Sequence, residues 1–371
     1  MERNKLEGLG CDNCFDNKVY LSGKCRLELT WWKNNVKSKN GKLIRPPAVE
    51  KCFSSDASNL GWGSFEVNSE RHAGGRWKIQ EAQNNINYLE LLSIFYGLQS
   101  LYSNCLNIHI QVQSDNTSAI KYINDMGGMT SVDMDQLAKE IWDWSICRNI
   151  FISAIHIPGK CNVMADFYSR NFSDSTEWML KDDIFQRVCT HFFMPAIDLF
   201  SSRLNKKLSR FISWFPEPGA FHVDAFSLSW KPFKPYIFPP FSLISKVLNK
   251  IVQDSVEKAI LIVPFWRAQA WFPVLLERIT SLPVRLPRHR DLLTLPHNGE
   301  QHPLIKKMKI FAVCVSGEPS VTQELQRQLL TQLSAHGQQV LVSNMDLHGK
   351  NGILGVLSGV KIPFVRLKLK C

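Results

Sequence analysis

The chain has 371 residues, of which 44% are apolar and 11% aromatic, and this composition supports two or three packed domains and excludes a globally disordered protein. Its net charge of +11 is concentrated at the ends, because residues 1–48 carry +5 and residues 281–371 carry +7, while the middle carries −1. Basic ends around a middle that contains acids favour a protein that handles nucleic acid, although a merely soluble basic protein has the same composition.

The sequence shows no clear signal peptide, membrane span or zinc-binding motif. The stretch MERNKLEGLGCDNCF has no apolar signal-peptide core, and the longest apolar run, AILIVPFW, is too short to span a membrane. We therefore expect an intracellular protein of the cytoplasm or nucleus that is not secreted and has no membrane partner. Cys11 and Cys14 form a lone CxxC followed by Cys25, and without a second zinc-type pair free thiols are favoured over a zinc site.

The N-terminal 48 residues are predicted to be a basic connector, since NNVKSKNGKLIRPP (34–47) is polar and ends in two prolines. From residue 49 to residue 172 the apolar spacing predicts one domain with the order β-β-β-α-β-α-α-β-α. The predicted strands are KCFSSDA (51–57), GWGSFEV (61–67), AGGRWKI (73–79), NIHIQVQSD (107–115) and IFISAIHI (150–157), and the predicted helices cover 81–101, 116–128, 132–149 and 162–170.

A linker helix is predicted over 173–192, and a second α/β domain over 193–280. This domain contains FMPAIDLF, VDAFSLSW, YIFPPFSLISKVLNKI and AILIVPFWRAQAWF, a strand–turn–helix–strand pattern. Residues 281–371 form a basic C-terminal region in which VTQELQRQLLTQLSAHG (321–337) is predicted to be helical.

Four acids occupy informative positions in the first domain. Asp56 and Asp115 end strands, Glu90 lies within the apolar helix segment NYLELLSI, and Asp166 lies in the first turn of the last helix. A charge among core-facing residues is costly unless it is paired or bound to a metal. Carboxylates that converge favour Mg²⁺, with Mn²⁺ as the alternative ion, and two such ions suit phosphodiester cleavage. Singly, each acid has an ordinary explanation as a turn former, a helix cap, a dipole partner or a solvated residue.

The motifs SDASNLGWGSF, INYLELLSI, VQSDNTSAIKYIN, LAKEIWDWS and HIPGKCNVMADFYSR resemble the RNase H domain of retroelement polyproteins, and most closely that of DIRS-type retrotransposons. The resemblance covers roughly residues 25–172. It implies that Asp56, Glu90, Asp115 and Asp166 bind two Mg²⁺ ions and cleave the RNA strand of an RNA–DNA hybrid. His156 lies before the final helix but on a predicted strand, so it is given no catalytic role.

The resemblance also implies nucleic-acid contacts and a partner enzyme. Asn59, Asn87 and Asn116 adjoin the acids and are candidate contacts for 2′-hydroxyl or phosphate groups. Trp62 is expected to pack in the core. No Tyr-x-Asp-Asp polymerase motif occurs, so we expect a piece of a larger polyprotein that works with the reverse transcriptase of the same element.

Residues 193–275 resemble the DNA adenine methyltransferase module of DIRS-type elements. AIDLFSSRLNKK, with Asp198 and Asn205, resembles its acidic strand end, and VDAFSLSW, with Asp224, follows in the order of that module. Phe238, Pro239, Pro240 and Phe241 occupy the positions of its Asp/Asn-Pro-Pro-Tyr/Phe motif. Phe238 departs from that motif, because a phenyl ring cannot accept a hydrogen bond from the target amine. We therefore expect a degenerate module that does not use S-adenosylmethionine.

The predicted fold class is α/β: an RNase H-like mixed five-stranded sheet with helices, then a smaller methyltransferase-like domain and a basic C-terminal tail. The expected function is RNA–DNA hybrid hydrolysis by two metal ions. A non-catalytic nucleic-acid-binding remnant is the alternative, and a DNA adenine methyltransferase, disfavoured by Phe238, is the third reading.

Overall fold

The structure is a computed structural model that describes residues 2–9, 16, 18–39, 47–172, 177–323, 327, 353–357 and 360–367. The chain divides into two compact units. Unit 1 consists of residues 1–72 and 82–170, and unit 2 consists of residues 73–81 and 171–371.

The predicted sheet of the first domain is confirmed as a mixed five-stranded sheet with the order β3-β2-β1-β4-β5. Its strands are β1 (Lys51–Ala57), β2 (Gly61–Glu66), β3 (His72–Arg76), β4 (His109–Ser114) and β5 (Phe151–His156). β1 pairs with β2 in the antiparallel sense, whereas β1, β4 and β5 run parallel. The carboxyl ends of β1 and β4 therefore lie side by side.

The helices of unit 1 are α1 (Glu2–Leu9), α2 (Gly23–Lys39), α3 (Ile86–Leu101), α4 (Thr117–Asn124), α5 (Val132–Ile146) and α6 (Val163–Arg170). Their starts follow capping chemistry, since the side chains of Asn85, Asn116 and Ser131 accept backbone N–H bonds in the first turns of α3, α4 and α5. The predicted element order of this domain is confirmed. Trp62 is buried as expected, and its ring packs against Tyr96 with centroids 5.4 Å apart.

Two N-terminal expectations need correction or fall outside the description. The segment predicted as a connector contains the helices α1 and α2, and α2 extends to Lys39. Residues 40–46 of that connector lie outside the described residues, as do Cys11 and Cys14. Cys25 is a buried free thiol.

Unit 2 is built on a seven-stranded sheet with the order β15-β16-β12-β14-β11-β10-β7. The strands of unit 2 are β6 (Met179–Leu180), β7 (Ile197–Asp198), β8 (Ile212–Ser213), β9 (His222–Val223), β10 (Pro235–Ile237), β11 (Ala259–Pro264), β12 (Val284–Arg285), β13 (Leu293–Thr294), β14 (Ile310–Val315), β15 (Ile353–Leu357) and β16 (Val360–Arg366). Its helices are α7 (Asp182–His191), α8 (Ile244–Gln253) and α9 (Trp271–Arg278). β7, β10 and β11 are parallel, and β14 is antiparallel to β11.

The boundaries predicted around this unit are corrected by the sheet. β12, β14 and β16 come from the segment predicted as a basic tail, yet they continue the same sheet, because IFAVCV is a fully buried strand beside β11. The segment predicted as a linker contains α7, whose Ile184, Phe185 and Val188 join the core on one face of the sheet. Unit 2 is consequently larger than predicted. Of the helix predicted over 321–337, only residues 321–323 and 327 are described, and they are helical.

Two hydrophobic cores cover the two faces of the unit 2 sheet. Along β11, Leu261 and Val263 belong to one core with α8 and α9, whereas Ile260 and Ile262 belong to the other core with α7. Such a strand reads as a continuous apolar run because both of its faces are buried. In the described part of the chain, no helix combines the length and apolarity that crossing a bilayer requires.

Candidate active site

The site begins with two acids at neighbouring strand ends. Asp56 is the sixth residue of β1, and Asp115 directly follows β4. Ser54 is in register with Gln113, so continuing this parallel register by two residues brings Asp56 beside Asp115. Carboxyl ends of parallel strands are where α/β sheets place polar ligands. The sequence prediction that these two acids share a sheet edge is therefore realised.

Glu90 approaches the same edge from α3. Its helix is fixed to β1 by Ser93, one turn further along, whose hydroxyl donates to the Asp56 carbonyl oxygen at 2.7 Å and contacts the Ser55 hydroxyl at 2.8 Å. This buried bonding leaves Glu90 with only 5% of its side chain exposed. Its Oε2 atom has no hydrogen-bond partner among the described residues. A buried carboxylate oxygen without a donor is costly, and a bound cation would offset that cost.

Asp56, Glu90 and Asp115 form one compact cluster. Each offers a carboxylate oxygen, and these oxygens lie within 4.8 Å of one another. Burial and then the charges of Asp56 and Asp115 raise the pKa of Glu90 to about 9. Burial also raises the pKa of Asp56 to about 6, although a hydrogen bond from Ser169 opposes this shift. The three carboxyl groups therefore oppose one another's ionisation.

The donor set fits a hard divalent cation. All three ligand groups are carboxylates, which Mg²⁺ and Mn²⁺ prefer over softer metals. A cation at this position would neutralise the mutual repulsion and give the free Glu90 Oε2 atom a partner. The residues therefore fit the metal that the motif pattern predicts.

Asp166 is the one predicted acid that the structure leaves outside the close cluster. It lies in the first turn of α6, its side chain is 47% exposed, and its Oδ1 accepts a hydrogen bond from Arg170 Nε at 2.7 Å. Its charge still acts on Asp56, because it contributes to the raised pKa of that residue. Asp166 is thus near the cluster but engaged by an exposed ion pair one helical turn away.

Ser169 is a residue that the sequence reasoning missed. Its hydroxyl donates to Asp56 Oδ2 at 2.7 Å, and its carbonyl oxygen accepts from the Ser58 hydroxyl at 2.6 Å. The contact requires α6 to lie very close to β2, and Gly63 permits this because a Cβ atom there would overlap the α6 backbone at Ala165 and Ser169. The only sequence signal was its spacing of three residues from Asp166, which is weak without knowledge of which helix face meets β1.

The three candidate asparagines have different surroundings. Asn116 caps α4, because its Oδ1 accepts from Ala119 N at 2.9 Å, and its Nδ2 donates to Asn87 Oδ1 at 2.8 Å. Asn87 and Asn59 are exposed. His156 ends β5 opposite Ser114 and is exposed, which agrees with its predicted place on a strand.

In unit 2, the polar residues of the methyltransferase-like motifs bond to the backbone of their own loops. Asp198 is buried at the end of β7, and its Oδ2 accepts from Lys207 N at 3.0 Å. Asp224 accepts from Phe226 N at 2.9 Å, and the Asn205 Oδ1 accepts from Ser202 N at 2.6 Å. Each of these residues therefore binds local backbone.

The Phe-Pro-Pro-Phe segment follows β10 directly. Pro240 precedes a short 3-10 turn over Phe241–Leu243. The rings of Phe238 and Phe241 lie 6.3 Å apart and pack against the core that contains α7. Because its side chain is a phenyl ring, Phe238 offers no hydrogen-bonding side-chain group at this strand end.

Comparisons with known proteins give low-identity likenesses. No protein-family model matches, and no curated protein matches. The RNase H1 structure from Halobacterium salinarum NRC-1 is 16% identical, covers 32% of this chain and 92% of its own chain, and has a TM-score of 0.28.

Two further structures are similar to the chain. LC11-RNase H1 in complex with RNA/DNA hybrid is 13% identical over 32% of this chain and 93% of its own, with a TM-score of 0.28. The prototype foamy virus protease-reverse transcriptase is 9% identical over 41% of this chain and 21% of its own, with a TM-score of 0.22. These similarities are too low to indicate a function, which must be inferred from the carboxylates of this chain.

Proposed function

We propose that unit 1 hydrolyses the RNA strand of an RNA–DNA hybrid. The observation that carries this proposal is the cluster of Asp56, Glu90 and Asp115, whose oxygens lie within 4.8 Å at the carboxyl ends of β1 and β4. Three acids gathered in one largely buried cluster oppose folding, because they repel one another in a site of low polarity. They do suit phosphodiester hydrolysis, which needs concentrated cationic charge on the scissile phosphate.

The chain's own residues hold the site in a shape that suits this chemistry. Asp56 is oriented by the Ser169 hydroxyl, and Glu90 is held by the bonds of Ser93 to β1. With a pKa of about 9, Glu90 retains its proton at neutral pH in the cation-free protein, so cation binding releases that proton. Divalent ions bound here would supply the charge that stabilises the phosphate and would make water a stronger nucleophile. Asp166 is the proposed fourth ligand.

Selection of the hybrid is proposed to come from the surface beside the cluster. The resemblance to retroelement RNases H makes Asn59, Asn87 and Asn116 candidates for contacts with the nucleic acid. Asn116 and Asn87 support this through their mutual hydrogen bond, which fixes two amide groups immediately next to Asp115 and on the helix of Glu90. The 2′-hydroxyl, which DNA lacks, is the group such amides can recognise.

A cleavage assay tests the proposal. The full chain is incubated with Mg²⁺ and a hybrid whose RNA strand carries a label, beside a DNA duplex of the same sequence. The wild-type chain is expected to cut the RNA of the hybrid and leave the DNA duplex intact, and Asp115→Asn is expected to abolish cutting. Asp224→Asn is the matched control, since Asp224 caps a turn in unit 2. A folded wild-type chain that cuts no better than Asp115→Asn would overturn the proposal.

A second candidate function is nucleic-acid binding without hydrolysis. It is favoured by Asp166, whose carboxylate is engaged by Arg170 at 2.7 Å instead of joining the other three acids. In that case the chain binds the hybrid but does not cleave it, and adding Mg²⁺ changes neither the binding affinity nor the absence of cleavage.

We further propose that the chain derives from a retroelement polyprotein of the DIRS type and works beside a reverse transcriptase inside the cell. Unit 2 is then a methyltransferase-like domain that no longer transfers methyl groups, because Phe238 cannot accept a hydrogen bond and Asp198 binds the backbone of its own loop. Methyl transfer from S-adenosylmethionine to DNA by the wild-type chain would contradict this part.

A further inference from the structure

Unit 2 carries two arginines side by side at the end of its sheet. Arg285 is the last residue of β12, and it is in register with Arg366, the last residue of the parallel strand β16. Paired residues on neighbouring strands project from the same face, and like charges directly opposite one another are unfavourable. The fold therefore holds together two positive groups that would separate if they were free.

Further cations follow Arg285 along the chain. Residues 285–309 contain six Lys/Arg and only two Asp/Glu. One of these acids, Asp291, is already engaged, because it accepts a hydrogen bond from Gln301 at 2.9 Å and lies 3.6 Å from His289 Nδ1. Burial and the charges of Arg288 and Arg366 lower the pKa of Arg285. Arg285 therefore lies among positive groups in a partly buried position.

Three of the cations line one shallow cleft. Arg285, Arg288 and Lys309 contribute to its walls, and in the described chain none of the three forms an ion pair. The remaining walls are aliphatic apart from the His289 imidazole, and they include the buried Leu292 and Ile305. A cleft of this kind offers positive charge and guanidinium forks but no Phe, Tyr or Trp ring on which a base could stack.

We propose that this cleft binds the phosphodiester backbone of nucleic acid without reading its sequence. Several separate cations suit a polyanion with regularly spaced charges better than a single small anion. Guanidinium groups bind phosphate oxygens in a bidentate manner, and base readout requires stacking or edge contacts that the aliphatic walls do not provide. This binding belongs to unit 2 and does not depend on hydrolysis by unit 1.

Salt-dependent binding to a single-stranded DNA oligonucleotide tests the inference, since this probe has no RNA strand to cleave. The full chain is titrated in EDTA, and fluorescence anisotropy gives affinity at several salt concentrations. Replacing both arginines, as Arg285→Gln with Arg288→Gln, removes two phosphate contacts. The slope of log affinity against log salt should then fall by about 1.4, and affinity at low salt should fall on the order of tenfold. The loss of affinity should be the same for oligonucleotides of different sequence.

The controls separate this reading from misfolding and from other partners. Lys231→Gln with Lys258→Gln removes two exposed cations of the same unit and should leave the slope unchanged. Arg285→Lys with Arg288→Lys keeps the charge and should retain most of the slope. If the paired glutamine variant lowers the unfolding temperature, Arg288→Gln alone is used, because Arg288 is exposed. An unchanged slope in a folded glutamine variant would overturn the proposal. The proposal would also be overturned if the glutamine variant lost binding to phosphatidylserine vesicles but bound DNA as tightly as wild type.

Discussion

Both units place acids at the carboxyl ends of parallel strands, yet among the described residues only unit 1 brings three acids together. In unit 1, Asp56 and Asp115 meet Glu90, and the Glu90 Oε2 atom has no partner in the described chain. In unit 2, Asp198 at the end of β7 accepts from the Lys207 backbone through Oδ2, while its buried Oδ1 atom has no partner in the described chain, and Asp224 accepts from the Phe226 backbone. Position at a strand end is therefore not sufficient for a site.

The difference lies in whether carboxylates converge. Glu90 and Asp198 each bury a carboxylate oxygen that has no partner among the described residues, and burial raises the pKa of both groups. Within the described chain, only the unit 1 oxygen has two further carboxylates close enough to share a cation with it. Convergence of three carboxylates is thus the feature that separates the candidate active site from its counterpart in unit 2.

The largest expected effect comes from Glu90→Gln. This change removes a buried ligand, so hybrid cleavage should fall by at least about a hundredfold, because removing one group that stabilises transition-state charge costs that much. Initial rates of RNA cleavage in Mg²⁺ measure it. Asp224→Asn should leave the rate within about twofold, since an asparagine oxygen can also cap the turn. Equal rates for wild type and Glu90→Gln would break the contrast between the units.

The same variant should change stability in the opposite direction. The folded-state pKa of Glu90, about 9, exceeds its ordinary value of 4.5, so the protonated form stabilises the fold. That stabilisation is complete below about pH 4.5 and is lost as pH rises towards 9. In EDTA, Glu90→Gln should therefore unfold several degrees above wild type at pH 9 and near wild type at pH 5. Added Mg²⁺ should raise the unfolding temperature of wild type at pH 9 and leave that of the variant almost unchanged.

A smaller effect is expected from Gly159→Ala, which tests whether the geometry of the cluster matters as well as its composition. A Cβ atom at position 159 would lie 2.8 Å from Asp115 Oδ2, so the carboxylate must move. Cleavage should fall about tenfold to a hundredfold while the unfolding temperature stays within a few degrees. Gly23→Ala is the control, because a Cβ atom there meets nothing within 4 Å. Full activity in Gly159→Ala would show that the Asp115 position is not critical.

The smallest effect is expected from Phe238→Asn, which restores the polar residue that the methyltransferase motif contains. Because Asp198 remains bonded to its loop, the variant should still transfer no methyl group from S-adenosylmethionine to adenine-containing DNA. It should also lose some stability, since the Phe238 ring packs against the core, whereas Phe238→Leu should lose less. Radiolabelled methyl incorporation is the measurement, and incorporation by Phe238→Asn would mean that unit 2 differs from an active enzyme by one side chain.

The secondary structure of unit 1 was readable from sequence because its signals were local. NIHIQVQSD alternates as a half-buried strand does, and Asn116 stands where a helix cap is needed. The extent of unit 2 was not readable in this way. IFAVCV lies far along the chain from AILIVP, and no local pattern indicates that two apolar runs will pair as antiparallel neighbours. The predicted boundary at residue 280 was wrong for this reason.

The sequence by itself determined which side chains could form the site, since two acids end strands, one lies in the first turn of a helix and one lies within an apolar helix segment. Only the tertiary structure decided that Asp56, Glu90 and Asp115 converge within 4.8 Å while Asp166 turns to Arg170. It also decided that Ser169 bonds to Asp56 and that Arg285 stands beside Arg366. The physical reason is that local propensity sets where elements begin and end, whereas convergence depends on strand register and on the close approach of α6 to β2 at Gly63.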